Sequence, residues 1–499
     1  MTENSVSEVR NSASALTHIE ELRRTTMTLR SILCLHNAVV GLAVARTLPA
    51  LVRFYAWFSQ SRLAMAEKRG FGQGAGKFYG VLPAPKLSVP AMAASGFVLF
   101  ACLAAPLLPV PDTACIAACA VGLAAYFLYL SQVYCEAHVG AHVTVLVPPF
   151  LLLFALAPAW HSESADEATV AAATGFTVRM LQLILTVAYC GAGVSKITSS
   201  IKAGRQWWDG STMQAILLEG LYLSTPKTHS SFGVPTPGSH ALQQLFVRYP
   251  RLLLAPMSAV AVVFEAFAPT MLFVTSGTVA RAFAALGVKF HYGIAVLQNV
   301  DFVSWWGAAY APFILAPPVM PSWADATRAA FALAPRCAAA SCLYAAAHIA
   351  ATVALRFFPS VECLPFSAFG MFSNLVDLFD ASSRKWVWIT EKPHETGSLK
   401  NYAIGPFCRP EHVQAHELDK LPFRHVLVGL GGEPAEVMWA NVDVAANSRL
   451  EGALAKLRAE LCPKTTGDID RVLLALATAR EALADAPRVA TSGQVRIVG

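Results

Sequence analysis

The chain has 499 residues, 55% of them hydrophobic and 14% charged, with a formal net charge of +6. A mean hydropathy of +0.49 is too apolar for an ordinary soluble protein. Lys and Arg are scattered between apolar segments and do not gather into a stripe with interleaved aromatics. That argues against nucleic acid as a partner and makes membrane lipid headgroups the natural counter-charges.

Residues 1–30 form a polar N-terminal segment carrying Glu20, Glu21, Arg23 and Arg24. They lack the apolar centre and small-residue cleavage site of a signal peptide, so the first apolar segment is expected to act as an uncleaved signal anchor. Spanning hydrocarbon takes about 20 mostly apolar residues per helix, because each backbone amide must be paired within its own segment. Runs of this kind recur at 31–52, 90–110, 113–135, 141–160, 173–196, 252–275, 279–299, 302–319 and 336–358. Asp301 and Trp305-Trp306 sit between two of them and fit either a tight hairpin or a broken helix, so eight or nine spans are expected. The basic residues compete on the two sides of the first segment and leave its orientation open. The 11 cysteines include no CxxC pair and read as buried thiols.

Residues 197–250 are the longest polar interruption within the apolar region. Trp207-Trp208-Asp209-Gly210 there predicts an interfacial anchor leading into a helix over 213–223, and the segment after it is turn-rich. Beyond about residue 360 the hydropathy falls and a soluble tail, 361–499, begins. KWVWIT (385–390) and RHVLVGL (424–430) predict short strands. Leucines on either side of Pro463 and Gly467 predict a helical hairpin. The GLGG at 429–432 lacks the remainder of a dinucleotide fingerprint. The expected fold class is therefore all-α: a polytopic integral membrane helical bundle over 31–360 with a small mixed α/β soluble C-terminal tail.

Ionisable residues inside apolar segments mark function or helix pairing, since a charge in hydrocarbon is costly. Lys196 ends the uncharged run 180–195. Glu265 is isolated between two uncharged stretches and must be protonated, hydrogen-bonded or paired with a cation. His36, Arg46, His142, Arg179, Lys289, His291, Arg336 and His348 complete the set. His138 and His142 share a helix face, but no third or fourth ligand stands at usable spacing, so no metal is expected. Desolvation of Lys196 favours its neutral amine, which makes it a candidate general base, with His142 as a second proton-handling group.

AGVSK (192–196), WWDG (207–210), FEAFAP (264–269), FHYGIAV (290–296) and LPFSAFGMF (364–372) together resemble the horizontally transferred transmembrane domain family, over roughly residues 30–380. That family includes the vitamin K-dependent γ-carboxylase. The resemblance implies that Lys196 is the catalytic base and that His142, in AHVTVLVPP, is the counterpart of the family's catalytic His. The family's double Asn and Tyr around this His are absent, with Ala141 and Val143 as its neighbours, and His138 is a competing assignment. The resemblance further implies reduced vitamin K or another quinol as cofactor, with oxygen and carbon dioxide as co-substrates. Glu265, His291 and Trp207 would then line its site.

The tail is too short for the large luminal domain of animal carboxylases. A smaller carboxylate substrate is therefore expected in place of a propeptide-guided protein, with a protein substrate as the alternative. The expected function is that of a membrane enzyme in the carboxylase (lyase) class acting with a lipophilic cofactor, in the endoplasmic reticulum membrane of a eukaryote or the inner membrane of a bacterium. The competing expectations are a transporter or channel whose path is lined by Glu265, Lys289, His291 and Arg179, and a membrane scaffold with an interaction tail.

Overall fold

A computed structural model describes residues 28–60, 87–137, 145–161, 165–214, 216–217, 240–298, 302–355, 452, 456 and 469–484. Among the described residues the chain is helical, and the one β-pairing is an isolated bridge between Ser276 and Val319. The longer helices are α1 (Leu29–Gln60), α2 (Val89–Ala104), α3 (Asp112–Ala137), α4 (Val147–Ala155) and α5 (Glu167–Ala203). They are followed by α6 (His240–Arg248), α7 (Ala255–Phe267), α8 (Gly277–Gln298), α9 (Trp323–Leu333), α10 (Pro335–Leu355) and α11 (Ile469–Ala484). The predicted strands at 385–390 and 424–430 lie outside the described residues, as do His138 and His142. Of the predicted hairpin in the tail, α11 is described, and its Asp470 pairs with Arg248 of α6 at 2.7 Å.

Among the described residues, seven helices are long and apolar enough to cross a membrane: Leu29–Pro49, Val89–Leu107, Asp112–Tyr129, Glu167–Ala203, Pro250–Phe273, Gly277–Gln298 and Pro335–Ala354. The chain is thus built as a multi-pass helical membrane protein. Two of the expected spans take another form. In 141–160 the described helix is the 9-residue α4, which opens on Pro148-Pro149 and passes into a 3-10 turn at Pro158–His161. The 302–319 run breaks into three short pieces, Val303–Trp306, Gly307–Tyr310 and Ala311–Ile314, ending before Pro317-Pro318. Proline lacks a backbone donor and clashes with a preceding helical turn, and among the described residues neither run forms a single helix of crossing length. The broken piece is nonetheless buried: Trp305, Trp306, Tyr310 and Phe313 are at most 2% exposed.

Two halves share the core. In the first, α1, α2, α3 and α4 pack in sequence through Leu33, Val40, Val44, Leu99, Leu103, Tyr126, Phe150 and Phe154. In the second, α5 is the axis, packed against α4, α7, α9, α10 and the Ala311–Ile314 turn. At 37 residues it is about 55 Å long, well beyond a hydrocarbon layer of about 30 Å. Asp166 caps its first turn by accepting from Thr169 N at 2.9 Å. Hydrogen bonds from the Thr169 hydroxyl, then from its amide, hold the Asp166 carboxyl below the usual carboxylate range. Gly204, at φ 63°, ends the helix in the left-handed conformation that glycine adopts without strain.

Past α5 the chain doubles back through Trp207–Asp209 and enters α7 through a π-turn, Pro250–Leu254. Gly210 (φ 86°) is essential to this corner, because a Cβ there would lie 2.8 Å from the Ala255 amide nitrogen. The contact places the C-terminal end of α5 beside the N-terminal end of α7, so the two helices run antiparallel.

Candidate functional site

One face of α5 carries Arg179, Gln182, Thr186, Tyr189, Gly193, Lys196 and Ser200, all buried. The steps alternate between three and four residues, which keeps them in a single stripe along the helix. From Arg179 to Ser200 the stripe runs about 31 Å, close to the thickness of the hydrocarbon. An apolar helix with such a seam needs partners for it across the bundle, and the partners come from α7, α8 and residues 303–321.

At the Arg179 end, the guanidinium donates to the carbonyls of Leu272 (3.1 Å), Val274 (2.9 Å) and Pro321 (3.2 Å). These carbonyls lie past the ends of regular helices, where backbone acceptors lack intrahelical donors. Arg179 therefore acts as a backbone clasp. Gln182 donates to Pro312 O at 3.2 Å, the carbonyl left in the broken 303–314 segment.

Midway, the Tyr189 hydroxyl lies 2.6 Å from His291 Nε2 and in hydrogen-bond contact with the Tyr310 hydroxyl. His291 is 3% exposed and is enclosed by Tyr189, Phe290, Phe302, Trp306 and Tyr310 rings. Phe264, next to Glu265 in sequence, meets Tyr189 edge-on at 5.1 Å. Gly287 gives Tyr310 its room, since a Cβ on it would collide with the phenol.

Two turns further on, Lys196 Nζ donates to Glu265 Oε2 at 2.5 Å, with the two side chains 5% and 7% exposed. On α7, Ser258, Ala261, Val262 and Glu265 form the buried stripe that meets α5. Gly193 makes this approach possible, because a Cβ on it would fall 2.5 Å from the Ala266 amide nitrogen. Small residues at helix contacts in membranes let backbones come this close. Lys196 Nζ also lies 5.0 Å from the centroid of the Trp207 ring, within cation–π range. Ser200 Oγ accepts from the Trp207 backbone amide at 2.9 Å while donating to Lys196 O at 2.7 Å, which ties the Trp207 turn to the end of α5. An ammonium, a carboxylate and an indole are thus gathered in a water-poor wall, where both Coulomb attraction and the cost of breaking it are large.

Of the residues marked by sequence, Lys196, Glu265 and Trp207 converge. His291 stands one layer away, on Tyr189. His142 lies outside the described residues. Trp207 differs from the expected lipid-facing anchor: it is 2% exposed and covers Lys196. Lys289 is exposed, on the face of α8 opposite His291, and Arg179 is held by carbonyls, so these two do not join Glu265. Tyr189, Tyr310, Ser200 and Ser258 were not marked. Their signal in the sequence is the three-and-four spacing of polar residues through the apolar run 179–200, visible once Lys196 is taken as one member of a series.

A cavity of about 360 Å³ lies near the other end of α5, bordered by Arg30, Asp112, Trp160, Glu167 and Thr174. Along the helix Thr174 is roughly 33 Å from Lys196, so the cavity belongs to a different place in the fold. Among the described residues no group of three or more His, Cys, Asp or Glu is placed to hold a metal ion. No family model, curated protein or solved structure matches the chain.

Proposed function

We propose that this protein is a membrane enzyme in which Lys196 is the general base, Glu265 is the residue that positions it, and a lipophilic hydroxylated ring compound of the quinol class is the cofactor. The observation that carries this reading is the buried Lys196–Glu265 pair under the Trp207 ring. A pair needed only to tie α5 to α7 has no use for an indole over the ammonium. The resemblance of residues 30–380 to the horizontally transferred transmembrane domain family supports the same assignment.

The residues present fit such a cofactor. Lys196 and Glu265 offer a donor and an acceptor, Trp207 lies over the ammonium, and His291 Nδ1 is a buried polar atom with no hydrogen-bond partner among the described residues. When bound, a quinol supplies reducing power toward oxygen and a base strength beyond any side chain. What the protein supplies is proton handling in a dry wall. Transfer of one proton from Lys196 Nζ to Glu265 Oε2 turns an ion pair into a neutral amine and a neutral acid, a change that low dielectric favours. The amine lone pair can then accept a proton from an acidic hydroxyl, restoring the ammonium while Glu265 keeps its proton. Trp207 stabilises that ammonium through its π face. His142 remains the proposed second proton-handling group. Carboxylation of a small carboxylate substrate, with carbon dioxide and oxygen as co-substrates, is the reaction class this reading favours.

The transport reading is weaker, because the outward position of Lys289 and the clasp role of Arg179 leave Glu265 and His291 without a continuous charged path. To test the assignment, the protein is purified from its native membrane and its bound lipophilic molecules are identified by mass spectrometry beside Lys196→Ala. A quinone retained by the wild type and lost from the variant is expected. Equal retention by both would overturn the role of Lys196. Solute flux in proteoliposomes that is lost with Glu265→Ala but kept with Lys196→Ala would replace the enzyme with a transporter.

A further inference from the structure

The helix α8 has two unlike faces. Ala280, Phe283, Ala284, Gly287, His291 and Ala295 are buried against the bundle. Val279, Ala282, Leu286, Lys289 and Tyr292 recur at steps of three and four residues and are exposed. In a multi-pass protein that outer face meets lipid, and Lys289 puts a charge in the middle of it. Along the helix axis it stands roughly 12 Å from Arg281 toward one end of the span and roughly 14 Å from Gln298 at the other. It is also two residues from His291, which is bonded to Tyr189 at the centre of the buried α5 stripe. Among the described residues Lys289 has no hydrogen bond or ion pair.

An ammonium facing hydrocarbon at mid-depth is costly unless water or a counter-charge reaches it. A lysine can bend toward an interface, but side chains on a helix lean toward its N-terminus, and an extended stem of about 6 Å covers only half the distance to Arg281. At that end it meets a second cation. Beside Lys289 the outer face is low: Ala282 and Ala285 are small, and a Cβ added to Gly293 would find no heavy atom within 4 Å. Small residues of this kind let another helix backbone come close. A second copy of this chain does not suit the face. An isologous contact through α8 would set two ammoniums against each other. Within the seven spans, moreover, the carboxylates are Asp112 and Glu167, at span ends, and Glu265, engaged by Lys196. We propose that the outer face of α8 docks a membrane-spanning helix of a different protein, which carries an aspartate or glutamate at mid-depth and pairs it with Lys289. Each charge is costly in lipid by itself, and low dielectric strengthens the bond between them. Lys289 has no part in the Lys196 site, so this pairing and the proposed function can fail separately.

The test is photo-crosslinking in the native membrane from Tyr292→p-benzoylphenylalanine, one turn from Lys289 on the outer face, with adducts sequenced by mass spectrometry. The expected adduct joins this position to a membrane-spanning segment of another protein that contains Asp or Glu. Lys289→Leu should lower its yield several-fold, and Lys289→Arg should preserve it. Exchange of the charges, Lys289→Glu together with Lys in place of the partner's carboxylate, should restore it. Lys289→Leu puts an apolar side chain where lipid is met, so its unfolding midpoint in detergent should equal or exceed that of the wild type. That measurement separates loss of the partner from loss of the fold. Adducts with lipid alone would overturn the proposal and leave Lys289 reaching for headgroups. Adducts confined to this chain or its copies would also overturn it, as would a partner adduct whose yield ignores Lys289→Leu.

Discussion

The two halves of the bundle bury polar side chains in opposite ways. In the first, several such residues are satisfied close by: Thr47 donates to Ala43 O at 2.7 Å, Ser95 to Ala91 O at 2.8 Å, and His36 pairs with Asn37 while stacking on Phe150. In the second, Arg179, Gln182, Tyr189 and Lys196 reach partners that are 69 to 142 residues away in the chain. Local bonds stabilise one helix and can form before any tertiary structure. Long-range ones need the finished bundle and leave groups of opposite charge facing one another in a low dielectric. The first half is built as a scaffold, and the second holds its polar groups in fixed relative positions, which is what proton chemistry needs.

Substitutions can sharpen or break this contrast. Lys196→Ala leaves Glu265 without its cation and is expected to cost about 3–5 kcal/mol unless the carboxyl takes up a proton. Thermal unfolding in detergent at two pH values reads this, with the deficit shrinking at the lower pH as Glu265 neutralises. Next comes Gly193→Leu, which drives a side chain into the Ala266 backbone and should cost about 1–3 kcal/mol by overpacking. Unlike most overpacking changes, it should also remove cofactor retention, because it separates Lys196 from Glu265. Thr47→Val in the first half should cost no more than about 1 kcal/mol, the usual worth of a single local hydrogen bond. A loss at Thr47 as large as that at Lys196 would erase the distinction between the halves.

The smallest effect is expected at Asp166, which caps α5 from a fully exposed position. Its carboxyl titrates lower in the folded protein than the usual value of about 3.9. The stability it adds is therefore complete above that value and disappears as the pH falls through the lower, folded one. Asp166→Ala should lower the unfolding midpoint slightly at neutral pH and equally at pH 6. The difference from wild type should close only in strong acid.

Much of this was legible in the sequence because the bilayer imposes simple rules. Mostly apolar runs of about 20 residues marked all seven spans near their observed positions, and the isolation of Glu265 required it to be protonated, hydrogen-bonded or paired with a cation. The breaks at 147–161 and 303–314 were harder, since hydropathy sums ignore what Pro148-Pro149, Pro312 and Pro317-Pro318 do to a helix that must satisfy its own amides. The choice of Glu265 as the partner of Lys196 was also hidden. The residues are 69 positions apart, and only the antiparallel return of the chain at Gly210 brings them to one depth. Trp207 was read as an anchor because Trp favours the interface. The structure buries it over Lys196, and no local rule carries that information.

The account stands on the claim that the Lys196–Glu265 pair is kept for chemistry and not for folding. The most direct test is the double variant Lys196→Met/Glu265→Leu, which replaces a buried ion pair with apolar groups of similar volume. Such a replacement is commonly neutral or stabilising. Unfolding midpoint and bound lipophilic cofactor are measured on the same purified sample. A midpoint at or above that of the wild type, with the cofactor gone, is the expected result. A variant that unfolds far below wild type, or one that keeps its cofactor, would contradict the claim.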